Sequence, residues 1–150
     1  MFPFEIRLKK RLGIKDLELE KTNMILAFFE QEFINRKADR VRIGNNEVRF
    51  NNKLFKFTSN WNTMVPVDKG SLTVKKNRSG ELVIEYLFSL KVPLIVGVFF
   101  GIITFLFTKM WFVGVGVFLW LGVVNWLIAL LRHENMFALL TCEMKRKISI

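Results

Sequence analysis

Forty consecutive residues, Val92 to Leu131, contain a single charged side chain, Lys109. A bilayer core about 30 Å thick takes roughly 20 helical residues. The run therefore reads as two membrane spans, 90–108 and 110–131, folded back on each other at Lys109–Met110. Span one reaches full length by drawing on Lys91, whose long side chain carries its ammonium out to the headgroups. Pro93 falls in the first turn of that span, where its missing N–H costs little.

The charges on either side set an orientation. Residues 1–91 carry 18 Lys/Arg against 11 Asp/Glu, net +7, and residues 132–150 carry four against two, net +2. Basic flanks stay on the cytoplasmic side of a membrane, so both termini are expected inside, with the turn outside, in a bacterial inner membrane. The N-terminus has no apolar signal segment, so the hairpin itself is expected to direct insertion. The same charge accounts for attraction to anionic lipid, and nucleic acid is not expected as a partner. One cysteine, Cys142, excludes an internal disulfide framework.

Four regions follow from the patterning. Residues 1–15 form a basic amphipathic segment: 2–8 alternate as a short strand would, though Phe4, Leu8 and Leu12 also fit a helical stripe, and Lys9, Lys10 and Arg11 suit headgroup contact. Residues 16–88 read as a cytoplasmic domain of one helix and an antiparallel meander of five to six strands. In the helix, 16–37, Asp16 is the candidate N-cap, and Ile25, Leu26, Phe29 and Phe33 share one face. Turn signals punctuate the meander at Gly44–Asn46, Asn51–Asn52, Asp68–Gly70 and Asn77–Gly80, the second read as a two-residue hairpin loop. Glu81 to Phe88 is expected as the last strand, running into the first span with no tether; the rival reading extends that span backward as a helix through Leu90, Leu87, Tyr86 and Val83, against which stand the β-branched Val83 and Ile84 and the turn before them. The hairpin region is 89–131. Residues 132–150 form an amphipathic basic tail, either an extension of span two or a helix on the membrane, with Arg132, Lys145, Arg146 and Lys147 as headgroup contacts. The whole is a membrane α+β architecture.

Within the hairpin, small residues recur at helical spacing. Gly97, Gly101, Thr104 and Thr108 make one stripe, and Gly114, Phe118, Gly122, Asn125 and Ala129 make another. Folding at Lys109–Met110 sets Gly97 opposite Gly122 and Gly101 opposite Phe118, so the two stripes are expected to pack together, the alternative being that the Gly97–Gly101 stripe receives a second subunit. Asn125 needs a hydrogen-bond partner in an apolar span, sought on the span-one backbone near Pro93 or on a second subunit. Val113, Val117, Trp120, Val124 and Leu127 fall on the opposite face and form a candidate surface for a partner helix. Trp111 and Trp126, about 22 Å apart at 1.5 Å per residue, suit the two aromatic belts.

No phosphate-binding loop, nucleophile elbow or zinc-ligand motif occurs, and no spaced Cys/His set could hold a metal. Catalytic residues, metals and cofactors are therefore not expected. The alternation of bases and aromatics from Arg49 to Trp61 lacks the glycine-containing pattern of RNA-binding sheets. Hairpins joined to small β-rich domains occur in unrelated families, so the shape identifies none. The expectation is a non-catalytic membrane protein that binds lipids and assembles with other membrane subunits or with its own copies. Two alternatives use the same parts: an oligomerising membrane-disrupting effector with a sensor domain, and a sensor of anionic lipid.

Overall fold

A computed structural model describes residues 4–13, 19–52, 64 and 66–148. Its order is β1 (Glu5–Arg11), α1 (Leu19–Asn35), β2 (Arg42–Ile43), β3 (Glu47–Asn51), β4 (Lys69–Lys76), β5 (Leu82–Ser89), α2 (Lys91–Thr108) and α3 (Trp111–Ile148). The five strands form one antiparallel sheet in the order β1-β5-β4-β3-β2. Three helices accompany it, and α2 and α3 are each long and apolar enough to cross a membrane. The Asp16 cap and the bases and aromatics from Lys53 to Trp61 lie outside the described residues.

Alternation in β5 sorts the sheet into two faces. Leu82, Ile84, Tyr86 and Phe88 point one way and are buried. To the same core β4 contributes Leu72 and Val74, and β3 adds Val48 and Phe50. Onto this face α1 lays Ile25, Leu26, Phe29 and Phe33, as their helical spacing predicts. The helix stops in a Schellman motif: Lys37 takes a positive φ of 61°, its N–H bonds Ile34 O at 2.8 Å, and the Ala38 N–H bonds Phe33 O at 2.8 Å.

The second cover is α3. The helix does not end where its apolar run ends but continues to Ile148, and its distal half lies on the sheet beside α1. Its buried positions include Trp126, Ala129, His133, Phe137, Leu140 and Met144, a stripe with steps of three and four. The segment after Leu131 is thus an extension of the second apolar helix with a sheet-facing stripe. Trp126, expected at a membrane interface, belongs to that stripe and is 8% exposed.

The turns divide. Asn77–Gly80 is the tight β4–β5 turn that its residues predict: Gly80 has φ +80° and donates to Asn77 O at 2.9 Å, and the Arg78 N–H bonds the Asn77 side chain at 2.8 Å. Gly44–Asn46 joins β2 to β3, with the Gly44 N–H on Glu47 O at 2.7 Å. Asn51–Asn52, by contrast, is no two-residue hairpin. Asn51 pairs with Lys69, and the chain between them is a long connection. Lys69 and Gly70, read as turn residues, instead open β4. Asn52 is buried and works at long range. Its amide nitrogen donates to Met64 O (3.0 Å) and Val67 O (2.8 Å), and its oxygen accepts from the Asp39 N–H (2.8 Å). One side chain thereby ties the exit from α1 to both ends of the β3–β4 connection.

Candidate functional site

The distinctive site is the apolar hairpin and its join to the sheet. At the tip, Lys109 caps α2 in the left-handed region (φ 59°), its N–H on Phe105 O at 2.8 Å. Thr108 satisfies the chain on both sides: its hydroxyl donates to Thr104 O (2.8 Å) and accepts from the Met110 N–H (3.3 Å). The polar groups at the reversal are met locally, so the turn stays short.

Below the tip, the helices approach through glycines. A Cβ placed on Gly97 would lie 2.4 Å from Gly122 Cα and 2.6 Å from its nitrogen. One placed on Gly101 would lie 3.0 Å from Gly114 O and 3.2 Å from Phe118 Cβ. A Cβ on Gly114 would sit 2.8 Å from Gly101 O. The structure thus brings together Gly97 with Gly122 and Gly101 with Phe118, and it sets Gly114, another member of the second stripe, against Gly101. Thr104 is half-buried.

At this crossing α3 changes its winding. Leu119–Val124 forms a π-helical turn, with α-helix on either side. A wider turn displaces backbone carbonyls from their usual donors. Asn125 compensates: its amide nitrogen donates to Leu121 O (3.1 Å) and Trp120 O (3.4 Å). The partner sought on α2 near Pro93 is therefore on Asn125's own helix. Sequence spacing alone assumes a uniform α-helix, and the π turn is what moves the amide onto its own carbonyls.

Most of the hairpin surface has no protein against it. Only 17% of the apolar window in α2 and 22% of that in α3 is buried. Phe107 is 85% exposed and Trp111 71%. In the candidate partner face, Trp120 (68%) and Leu127 are exposed, while Val113, Val117 and Val124 are half-buried.

The join is rigid on both arms of the hairpin. Leu90, fully buried, is the single residue between β5 and α2, and its N–H bonds Phe4 O at 2.9 Å. On the return arm α3 passes without a break into the sheet core. There His133, fully buried, stacks on Phe88 (ring centroids 4.7 Å apart) and lies 3.1 Å from the Tyr86 hydroxyl through Nδ1. Phe137 also stacks on the Tyr86 ring, at 5.6 Å. Burial pushes the Tyr86 phenol well above its ordinary range, so it stays a neutral hydrogen-bonding group. Sequence reading misses this pair because no local pattern links residues 47 apart.

The basic residues separate by level. Lys91 is half-buried and Arg132 exposed, both at the join. Lys9, Lys10 and Arg11 pair with Glu85, Ile84 and Val83, roughly 13 Å or more up β5 from Ser89 at about 3.3 Å per residue. Lys145, Arg146 and Lys147 lie roughly 20 Å along α3 beyond Arg132, and the Lys147 ammonium sits 4.7 Å over the Phe28 ring. These six cations stand away from the hairpin. Lys9 and Lys75 flank Glu85 at 2.8 and 2.9 Å, and their hydrogen bonds hold its carboxyl down at about 2. Among the described residues no group of three or more His, Cys, Asp or Glu is placed to hold a metal.

Comparison with protein-family models, with curated proteins and with solved structures returned no match.

Proposed function

We propose that the chain is a non-catalytic membrane subunit or scaffold. In this reading α2 and the apolar part of α3 cross the cytoplasmic membrane as a hairpin. The sheet with its two covering helices is a docking domain on the cytoplasmic side, where both termini lie. The carrying observation is the continuity of α3 from an apolar, largely uncovered hairpin into the sheet core. A water-soluble protein rarely exposes contiguous apolar surface beyond a few hundred Å², and here both arms of the hairpin do. Because β5 and the distal half of α3 pack together, the two flanks occupy one side of any bilayer the hairpin crosses. The basic flanks and the single lysine at the turn favour the cytoplasmic side. A domain held by a one-residue link and a shared helix keeps a fixed height and bearing over the membrane. That suits a docking platform for other membrane subunits or further copies, which the exposed strip of Trp120 and Leu127 would meet.

Cys142, exposed and the chain's one cysteine, gives a direct test of sidedness. A membrane-impermeant maleimide should label it in inverted vesicles and not in intact spheroplasts, and the protein should resist alkaline extraction. Purification in mild detergent should bring down a membrane partner or a defined oligomer. A lone monomer in detergent, with nothing trapped by crosslinking in membranes, removes the subunit reading. The rigid join also favours a second reading, an oligomerising membrane-disrupting effector. Dye entry into expressing cells would support it, and an unchanged membrane potential would exclude it.

A further inference from the structure

The sheet buries one face under α1 and α3 and leaves the other open. Odd-numbered residues of β1, β5 and β4 stand on the open face. The register puts Arg11 and Lys75 on either side of Val83, Lys9 and Thr73 beside Glu85, and Arg7 and Ser71 beside Leu87. The end of this face farther from the hairpin is concave, a cleft of about 380 Å³ lined by Lys9, Arg11, Lys75 and Lys76, with Glu85 the one carboxylate in its wall. That carboxylate is already shared by Lys9 and Lys75. Arg7 and Arg11 are exposed and make no ion pair among the described residues. Like charges gathered on a concave, low-dielectric surface repel one another and focus their field outward, so this end of the face attracts anions. Val83 and Leu87 are half-buried and give the strip between the cations an apolar floor.

We propose that this face docks an acidic segment of a partner protein, with carboxylates against Arg7, Lys9, Arg11 and Lys75 and aliphatic side chains on Val83 and Leu87. Charge complementarity chooses the occupant. A second copy would bring the same cations and be repelled. A headgroup layer at the join is too distant: Glu85 and Val83 stand roughly 13 and 20 Å along β5 from Ser89 at about 3.3 Å per residue, against a screening length of about 8 Å. Single-stranded nucleic acid binds by stacking its bases on aromatic rings along a basic groove, and no residue that β1, β5 or β4 places on this face is aromatic. A protein segment, unlike a run of phosphates, can also set a neutral residue opposite Glu85. This surface gives the proposed docking role a place and a chemistry, and it rests on that role for its partner.

The full chain in micelles of an uncharged detergent is titrated with a fluorescein-labelled peptide of Glu and Leu, and binding is read by fluorescence anisotropy. Arg7→Glu and Arg11→Glu should each weaken binding about fivefold or more, since each replaces an exposed attraction by a repulsion. Arg146→Glu makes the same change in net charge on the exposed side of α3 and should leave binding within about twofold. Leu87→Ser should weaken the Glu–Leu peptide more than an all-Glu peptide. Amide shifts of Val83, Glu85 and Leu87 by NMR locate the contact in the parent chain, and unchanged circular dichroism shows that each variant keeps its fold. No binding, or equal losses from Arg11→Glu and Arg146→Glu, overturns the proposal. So does tighter binding of a single-stranded RNA of equal charge, displacement of the peptide by phosphatidylglycerol added to the micelles, or a dimer that Arg11→Glu dissociates, each of which gives the face another occupant. Flotation with liposomes reads the membrane hypothesis separately: a chain that floats but ignores the peptide loses this surface alone.

Discussion

Two glycines in the hairpin allow the same substitution in opposite environments. Gly97→Ala would set a methyl 2.4 Å from Gly122 Cα, and both nearest atoms are backbone that no side-chain rotation can move. Carbon atoms rest at about 3.5–4.0 Å, so the helices must separate by roughly 1 Å or more where they cross. Overpacking of this kind costs about 1–3 kcal/mol. Against it stands the better helix propensity of alanine, about 0.8–1.0 kcal/mol. Gly116 has nothing within 4 Å of an added Cβ, so Gly116→Ala collects the propensity gain alone. The difference between the two variants is therefore about 1–3 kcal/mol, with Gly97→Ala the less stable. Reversible unfolding of the hairpin in mixed micelles, with both variants and the parent in parallel, measures it. Equal stabilities would mean that Gly97 and Gly122 do not touch, and the packing face would have to be redrawn. Gly101→Leu is the harsher companion, since it must displace Gly114 O and Phe118 together, and normal folding of that variant would carry the same refutation.

Asn52→Ala should destabilise the sheet domain by about 1–3 kcal/mol in denaturant unfolding, because it removes the three hydrogen bonds that its side chain makes to the Asp39 N–H, Met64 O and Val67 O. Tyr86→Phe should cost about 1–3 kcal/mol by removing the hydroxyl beside His133. Adding His133→Phe should cost less than the two single changes summed, and a double-mutant cycle that closes to zero would deny the coupling. Glu85 has a folded pKa of about 2, below its ordinary 4.5, so its stabilisation is present above about pH 4.5 and is lost as pH falls toward 2. Both lysines are more than half exposed, so the contribution is about 1 kcal/mol or less. Glu85→Gln should flatten the dependence of melting temperature on pH between about pH 5 and pH 2, and a parallel, undiminished slope would refute the assignment.

What the sequence reveals here is whatever has a short period. The alternation of Leu82, Ile84, Tyr86 and Phe88 predicts β5 and its buried face, and the Ile25–Phe33 spacing predicts the face of α1. The glycine stripes foretell the crossing of α2 and α3, because a simple fold-back aligns their levels. The features that stay hidden depend on contacts distant along the chain. The stripe from Trp126 to Met144 has helical spacing, but whether lipid or a sheet covers it depends on where β5 lies in space. Asn52 resembles a turn residue because its three partners are remote. Asn125 is misassigned because a π turn breaks the constant winding on which helical projection relies.

The shared helix also dictates an order of assembly. During synthesis the strands and α1 emerge first, yet the layer that covers Tyr86 and Phe88 comes only after the whole apolar hairpin has been made. Until then, the side of Tyr86 and Phe88 that His133 and Phe137 will cover is bare. If the hairpin inserts as proposed, the core closes only when an even number of crossings brings residues 133–144 back to the side where β5 waits. A chain with one span left out of the bilayer would strand the covering helix across the membrane from the aromatic face it should meet. Completion of the core would then act as a check on correct insertion, and a misinserted chain would present an open sheet to the proteases that remove unfinished proteins.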